Sequence, residues 1–150
     1  MAYFDLGMFS RKITTASEDA QLWFDRGLTW LYGFNHEEAI VCFEHVLSAD
    51  PACVMARWGI AHCLGPNYNK LWAFFGPEER VSALARAHAM LAEARDRPAS
   101  DVERAMVKAL AARFPTDPGI EDYDPWNDGF AEAMRPVHVR FPEDLDAAVI

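Results

Sequence analysis

The side chains with the widest chemical scope are three histidines, His36, His45 and His62, and three cysteines, Cys42, Cys53 and Cys63. With the methionines, these soft donors would suit copper or zinc. Cys42 and His45 stand three apart and share a helix face, whereas His62 and Cys63 are adjacent and point differently. No CxxC pair and no HExxH segment accompanies them, so the spacing is not diagnostic of a ligand set. Buried thiols and capped histidines account for the same residues, and neither a metal site nor a cofactor is assigned. A second polar group, Asn67, Tyr68 and Asn69, leaves the carboxyl end of a predicted helix. Its amides would orient a polar ligand over Trp58 and His62, or satisfy the last free carbonyls of that helix. The acidic run Asp117, Glu121, Asp122, Asp124 and Asp128 lacks EF-hand spacing and reads as a solvated connector. No Ser-His-Asp order, phosphate-binding glycine loop or paired-carboxylate motif stands out, so no catalytic residue is assigned.

Bulk properties narrow the classes of partner. The chain has 150 residues, enough for one domain, and carries a net charge of −9. Nucleic acid is disfavoured, because phosphate neutralisation needs clustered Lys and Arg. No basic amphipathic stretch suits an anionic membrane surface, and no apolar run reaches transmembrane length. Three cysteines are an odd count, too few for a disulfide framework, and fit reduced thiols in a cytoplasmic protein. The N-terminus lacks the pattern of a secretory signal, which leaves the cytoplasm as the expected location.

The elements that must position these groups read as helices throughout. Residues 1–16, with Tyr3, Phe4, Leu6, Met8, Phe9 and Ile13, are too apolar for a free tail and are expected to lie as an arm on the first helices. Ser17 caps a helix running to about Tyr32, which Gly33 stops. Asn35 caps the second, with Glu38 three residues later, and Ala39, Ile40, Phe43, Val46 and Leu47 form its buried stripe. Asp50 and Pro51 are expected to cap and open a third helix, which carries Val54 to Leu64. Residues 65–77 then form a long loop rich in aromatics. Pro77 opens an alanine-rich fourth helix and Ser100 caps a fifth. Residues 115–127 form the acidic connector, a sixth helix covers about Trp126 to Arg140, and a short seventh begins near Leu145.

Trp23-x-x-Arg26-Gly27-x-x-Trp30, then Ala39-x-x-x-Phe43, then Pro51, resembles a tetratricopeptide repeat, a helix-turn-helix unit of about 34 residues. Gly27 and Ala39 are small where helices must approach closely, and Trp23, Trp30 and Phe43 fill the space between them. Arg26 departs from the pattern, standing where Leu is usual, so an unusual neighbour is expected there. Residues 3 to about 76 also look like the N-terminal part of large tetratricopeptide-repeat proteins of bacteria and fungi. Tyr3-Phe4-Asp5-Leu6-Gly7, Tyr32-Gly33-Phe34-Asn35-His36-Glu37-Glu38-Ala39 and Gly65-Pro66-Asn67-Tyr68-Asn69 carry that resemblance.

The resemblance implies an all-α, right-handed solenoid of antiparallel helix pairs, six to seven helices over residues 17–150, and no established reaction. Its concave groove would be lined by Phe24, Leu28, Leu31 and Tyr32 on the first helix and by Met55, Trp58 and His62 on the third. Asn67, Tyr68 and Asn69 would stand at its edge. The expected function is a binding and scaffolding module holding a peptide segment or an apolar small molecule. An enzyme or metal protein with a site around His62 and Cys63 is the alternative. Self-association, or docking of further repeats after Ile150, is the third reading, because the last predicted helix has no polar capping face.

Overall fold

The computed structural model describes residues 3–150, and among these every regular element is helical. The α-helices are α1 (Glu18–Tyr32), α2 (His36–Ala49), α3 (Val54–Leu64), α4 (Pro77–Ala94), α5 (Asp101–Ala111), α6 (Asp124–Arg140) and α7 (Leu145–Val149). None of them is long and apolar enough to cross a membrane. Local chemistry accounts for most of the starts. Ser17 Oγ accepts the Ala20 N–H at 3.1 Å. Asn35 Oδ1 accepts the Glu38 N–H at 3.4 Å. Ser100 and Glu103 form a reciprocal capping box, in which the Ser100 N–H donates to Glu103 Oε2 at 2.7 Å.

Two boundaries differ from expectation. Pro51 does not open α3: it lies in a turn, and the helix begins at Val54 after Cys53. Asp50 Oδ1 holds that turn by accepting the Ala52 N–H at 2.9 Å, and its other oxygen accepts the Thr15 hydroxyl at 2.6 Å. A side chain engaged this way cannot also cap the next helix. Gly33 does stop α1, but with φ −79° it is not the left-handed residue. Phe34 takes that role at φ 59°. The Phe34 N–H donates to Leu31 O and the Asn35 N–H to Trp30 O, the paired bonds of a Schellman ending.

Each helix packs on its neighbour in sequence: α1 on α2, α2 on α3, α3 on α4, and α5 on α6. Across pairs, α3 touches α1 and α5. The tightest point is the Phe43 ring of α2, clamped between glycines of two different helices. A Cβ on Gly27 of α1 would lie 2.6 Å from the ring, and one on Gly59 of α3 2.5 Å from its other edge. Real Cβ atoms do not approach so closely, so both positions must lack a side chain for α1, α2 and α3 to nest.

Residues 3–16 and α7 complete the packing. Tyr3 accepts a hydrogen bond from Trp30 Nε1 at 2.7 Å and donates to Glu38 Oε1 at 2.8 Å. Arg26 lies 4.4 Å over the Tyr3 ring and 4.5 Å over Trp23, so the unusual neighbour of this basic residue is the arm itself. Further along, Thr14 donates its N–H and hydroxyl to the two oxygens of buried Glu103. Arg11 Nη1 reaches Asp144 at 2.5 Å and Asp146 at 2.7 Å, while Nη2 meets Met106 Sδ at 3.2 Å. Tyr32 donates to the same Asp146. One guanidinium thus ties the arm to α5 and α7, and Asp146 extends the link to Tyr32 of α1.

Candidate binding cleft

Most of the expected groove is interior. Phe24, Leu28 and Met55 have no exposed surface, and Trp58 and Leu31 are also buried. Phe24 packs against Phe43 with ring centroids 5.5 Å apart. Tyr32 is half-buried, its hydroxyl committed to Asp146. The physical reason is the packing of the helices themselves: α2 lies on α1 and α3, and α5 packs on α3. These five apolar side chains therefore stabilise by burial and are not accessible to a ligand.

Polar groups gather instead where α1, α3 and α5 all end. His62, in the last turn of α3, packs its ring 5.2 Å from Trp58. Its Nε2 lies 3.3 Å from Arg113 Nη1, just past the end of α5, while its Nδ1 is buried without a partner. Arg113 Nη2 donates to the Pro66 carbonyl at 2.5 Å, and the guanidinium lies 4.9 Å over the Phe130 ring. No carboxylate pairs with it among the described residues. Burial accordingly pushes the Arg113 pKa down to about 10. Burial, then the Arg113 charge, then His36 hold the His62 imidazole well below its ordinary value. His36 is lowered by burial and by Arg113. Both rings are therefore neutral near pH 7. The cation is tolerated because helix carboxyl ends carry partial negative charge and a carbonyl accepts from it directly.

His36 and Asn67 carry this cluster to the surface. Asn67 Nδ2 lies 3.1 Å from His36 Nδ1, and Asn67 Oδ1 accepts the N–H groups of Asn69 at 2.9 Å and Lys70 at 3.1 Å. Asn67 thus shapes its own turn, and neither caps α3 nor reaches over Trp58. Tyr68 and Asn69 point into solvent and do not join His62. Beside Asn67 opens a cleft of about 490 Å³ lined by Phe34, His36, Ile40, Asn67, Lys70 and Phe75, among others. Lys70 pairs with Glu79 and lies 4.5 Å over the Phe75 ring, closing one side. Trp72 anchors the loop from beneath, stacked 5.7 Å from Tyr123 and lying 4.9 Å from buried Phe75, so the aromatic loop is packed at two rings and free at Tyr68, Leu71 and Phe74.

Phe34 stands out on this rim. It is 52 % exposed yet adopts a left-handed backbone conformation, which disfavours any residue with a bulky Cβ substituent. Chemically the cleft offers a donor–acceptor pair, a cation, the carboxylates of Glu37 and Glu79, and two rings. Cys63 lines it with a thiol raised far above its ordinary value by burial, hence protonated and inert.

The remaining soft donors are dispersed. Cys42 lies 3.1 Å from the Tyr3 hydroxyl, and His45 stacks on Trp23 at 4.2 Å, so their shared helix face does not converge on a site. Burial raises the Cys53 pKa to about 11. Asp117 and Asp122 accept backbone N–H groups of Gly119 and Asp124, shaping turns in the connector. Among the described residues no three His, Cys, Asp or Glu side chains come together as metal ligands would.

Sequence reasoning missed Phe34, Arg11 and Arg113. An arginine at a helix carboxyl end is a recognisable signal for Arg113. Nothing local marks the other two, since Gly33 offered the easier left-handed residue and the partners of Arg11 lie more than 130 positions away. Comparisons with protein-family models, curated proteins and solved structures find no match to this chain.

Proposed function

We propose that the chain is a tetratricopeptide-type binding module, a right-handed stack of antiparallel helix pairs, that holds a short peptide segment in the cleft beside Phe34, His36 and Asn67. The observation that carries this reading is the strained, exposed ring of Phe34 on the rim of a cleft with polar groups in its walls. The left-handed turn itself closes α1, but glycine would make it without strain, and an exposed aromatic kept there instead is repaid by contact with another molecule. A peptide fits better than a purely apolar molecule, because His36, Asn67, Lys70 and Glu79 supply donors and acceptors for main-chain groups while Phe34 and Phe75 take an apolar side chain. The sequential helix pairing and the glycine clamp around Phe43 support the repeat-type stack.

Selection of a displayed random-peptide library on the wild-type protein tests the reading. Enriched peptides are expected to lose binding to Asn67→Ala and Phe34→Gly and to keep binding to Val139→Ser, an exposed position on α6. Failure to enrich any sequence, or enriched peptides indifferent to both cleft substitutions, overturns it.

A further inference from the structure

The exposed face of α5 is basic in a chain whose net charge is −9. Arg104 and Lys108, one helical turn apart, form a ridge between two apolar grooves. On one side α5 and α6 enclose about 580 Å³ over Ala105, Ala109, Ala133 and Val137, with Arg140 on the opposite rim. On the other, about 400 Å³ opens over Val54, Leu91, Ala94 and Val107, with Arg95 on the far edge. Asp101 is the one carboxylate lining either groove, and it lies at one end, 2.8 Å from Arg104 and 3.4 Å from Arg140. Lys108 and Arg95 make no ion pair among the described residues.

We propose that the α5–α6 groove docks an acidic amphipathic helix of a partner protein. The floor is built largely of alanines, which lets a third helix axis approach to about 8–10 Å, the separation of packed helices. Its apolar stripe would cover the floor, and carboxylates flanking the stripe would meet Arg104 and Lys108 on one rim and Arg140 on the other. Charge selects this occupant. A basic helix would face the rim cations directly, whereas an acidic one meets them while the surplus carboxylates elsewhere repel it, which fixes where it lands. Nucleic acid fits less well: among the described residues Phe141, at one end, is the only aromatic ring lining the groove, and the net charge opposes a phosphate backbone. The site lies apart from the cleft at Phe34 and shares no residue with it.

Fluorescence anisotropy with a labelled synthetic helix of about 18 residues, five turns, tests the assignment. One version carries Leu and Ala on one face with Glu flanking, a second replaces every Glu with Lys, and a third probe is a single-stranded oligonucleotide. The Glu helix is expected to bind, to weaken as salt rises, and to lose about tenfold in affinity in the double variant Arg104→Glu/Lys108→Glu. Both side chains are exposed, so the variant should keep the wild-type circular dichroism and unfolding midpoint. No binding of the Glu helix, equal binding of the Lys helix, tighter binding of the oligonucleotide, or an unchanged affinity in the folded double variant each overturns the proposal.

Discussion

Two arginines are held inside this molecule in opposite ways. Arg11 is buried among carboxylates: burial alone would lower its pKa, but the hydrogen bonds it donates to Asp144 and Asp146 overcome that and raise it. Arg113 is largely buried with no carboxylate paired to it among the described residues, and burial lowers its pKa. One carbonyl, one neutral imidazole and one aromatic face are its neighbours. The first arrangement is a clasp whose charges cancel, and it joins the two ends of the chain. The second leaves a positive field beside an open cleft. A guanidinium kept inside without a counter-charge does little for stability, so the difference separates a part that holds the fold from a part free to serve recognition.

The largest expected effect is therefore at Arg11. Arg11→Ala leaves Asp146 buried and both carboxylates unpaired, and breaking a buried pair from one side costs about 3–5 kcal/mol. Urea unfolding measures it, and a loss within experimental error would mean that the ends of the chain are not clasped. Acid should act on the same group. The Asp144 carboxyl is held low by Arg11 and the Ala147 N–H against the opposing effect of burial. Its contribution is present above the unfolded value of about 3.9 and disappears as pH falls through the lower folded value. Arg11→Ala should shrink that step, leaving the part due to the Ala147 N–H.

Arg113→Met should behave differently. Removing a buried, unpaired cation leaves stability unchanged or raises it by about 1 kcal/mol. The histidines report the change independently. Their folded values lie below the unfolded value of about 6.5, so the unfolded chain binds more protons and stability falls as pH drops through that value toward the folded ones. Arg113→Met should shrink this window without closing it, because burial is the larger cause at both rings. Imidazole titration by NMR should show both values rising. Destabilisation as severe as in Arg11→Ala would place a hidden counter-charge beside Arg113 and erase the contrast.

The legibility of these regions in the sequence follows the range of the interactions. Ser17, Asn35 and Ser100 act on amides three residues away, so an all-α chain and most helix starts could be read directly. The closeness of Gly27 to its neighbour was also legible, because the repeat pattern demands a small residue there. The groove was not. Periodicity shows that Phe24, Leu28, Met55 and Trp58 share helix faces, but not whether another element covers them. Here Phe24 turns onto Phe43 of α2 and α5 packs on α3, and no spacing rule fixes which helices meet. Asn67 was read for its amide and found in its turn, but its partner His36 lies 31 residues away, across a loop whose path no spacing rule fixes.

Phe34 gives an expected change no larger than that at Arg113, and the most direct test of the cleft. A left-handed conformation costs a non-glycine residue about 1–2 kcal/mol, and glycine removes that while losing about 0.5–1 kcal/mol of its own backbone freedom on folding. The ring is half exposed, so little packing is forfeited. Phe34→Gly should therefore stabilise the protein by roughly 0.5–1 kcal/mol in urea unfolding, the difference of those two terms. Peptides selected on the wild type should at the same time bind it more weakly. Opposite signs for stability and binding are what a residue kept for contact produces. A destabilised variant would instead make the ring a packing element, and the strain at this position would lose its functional meaning.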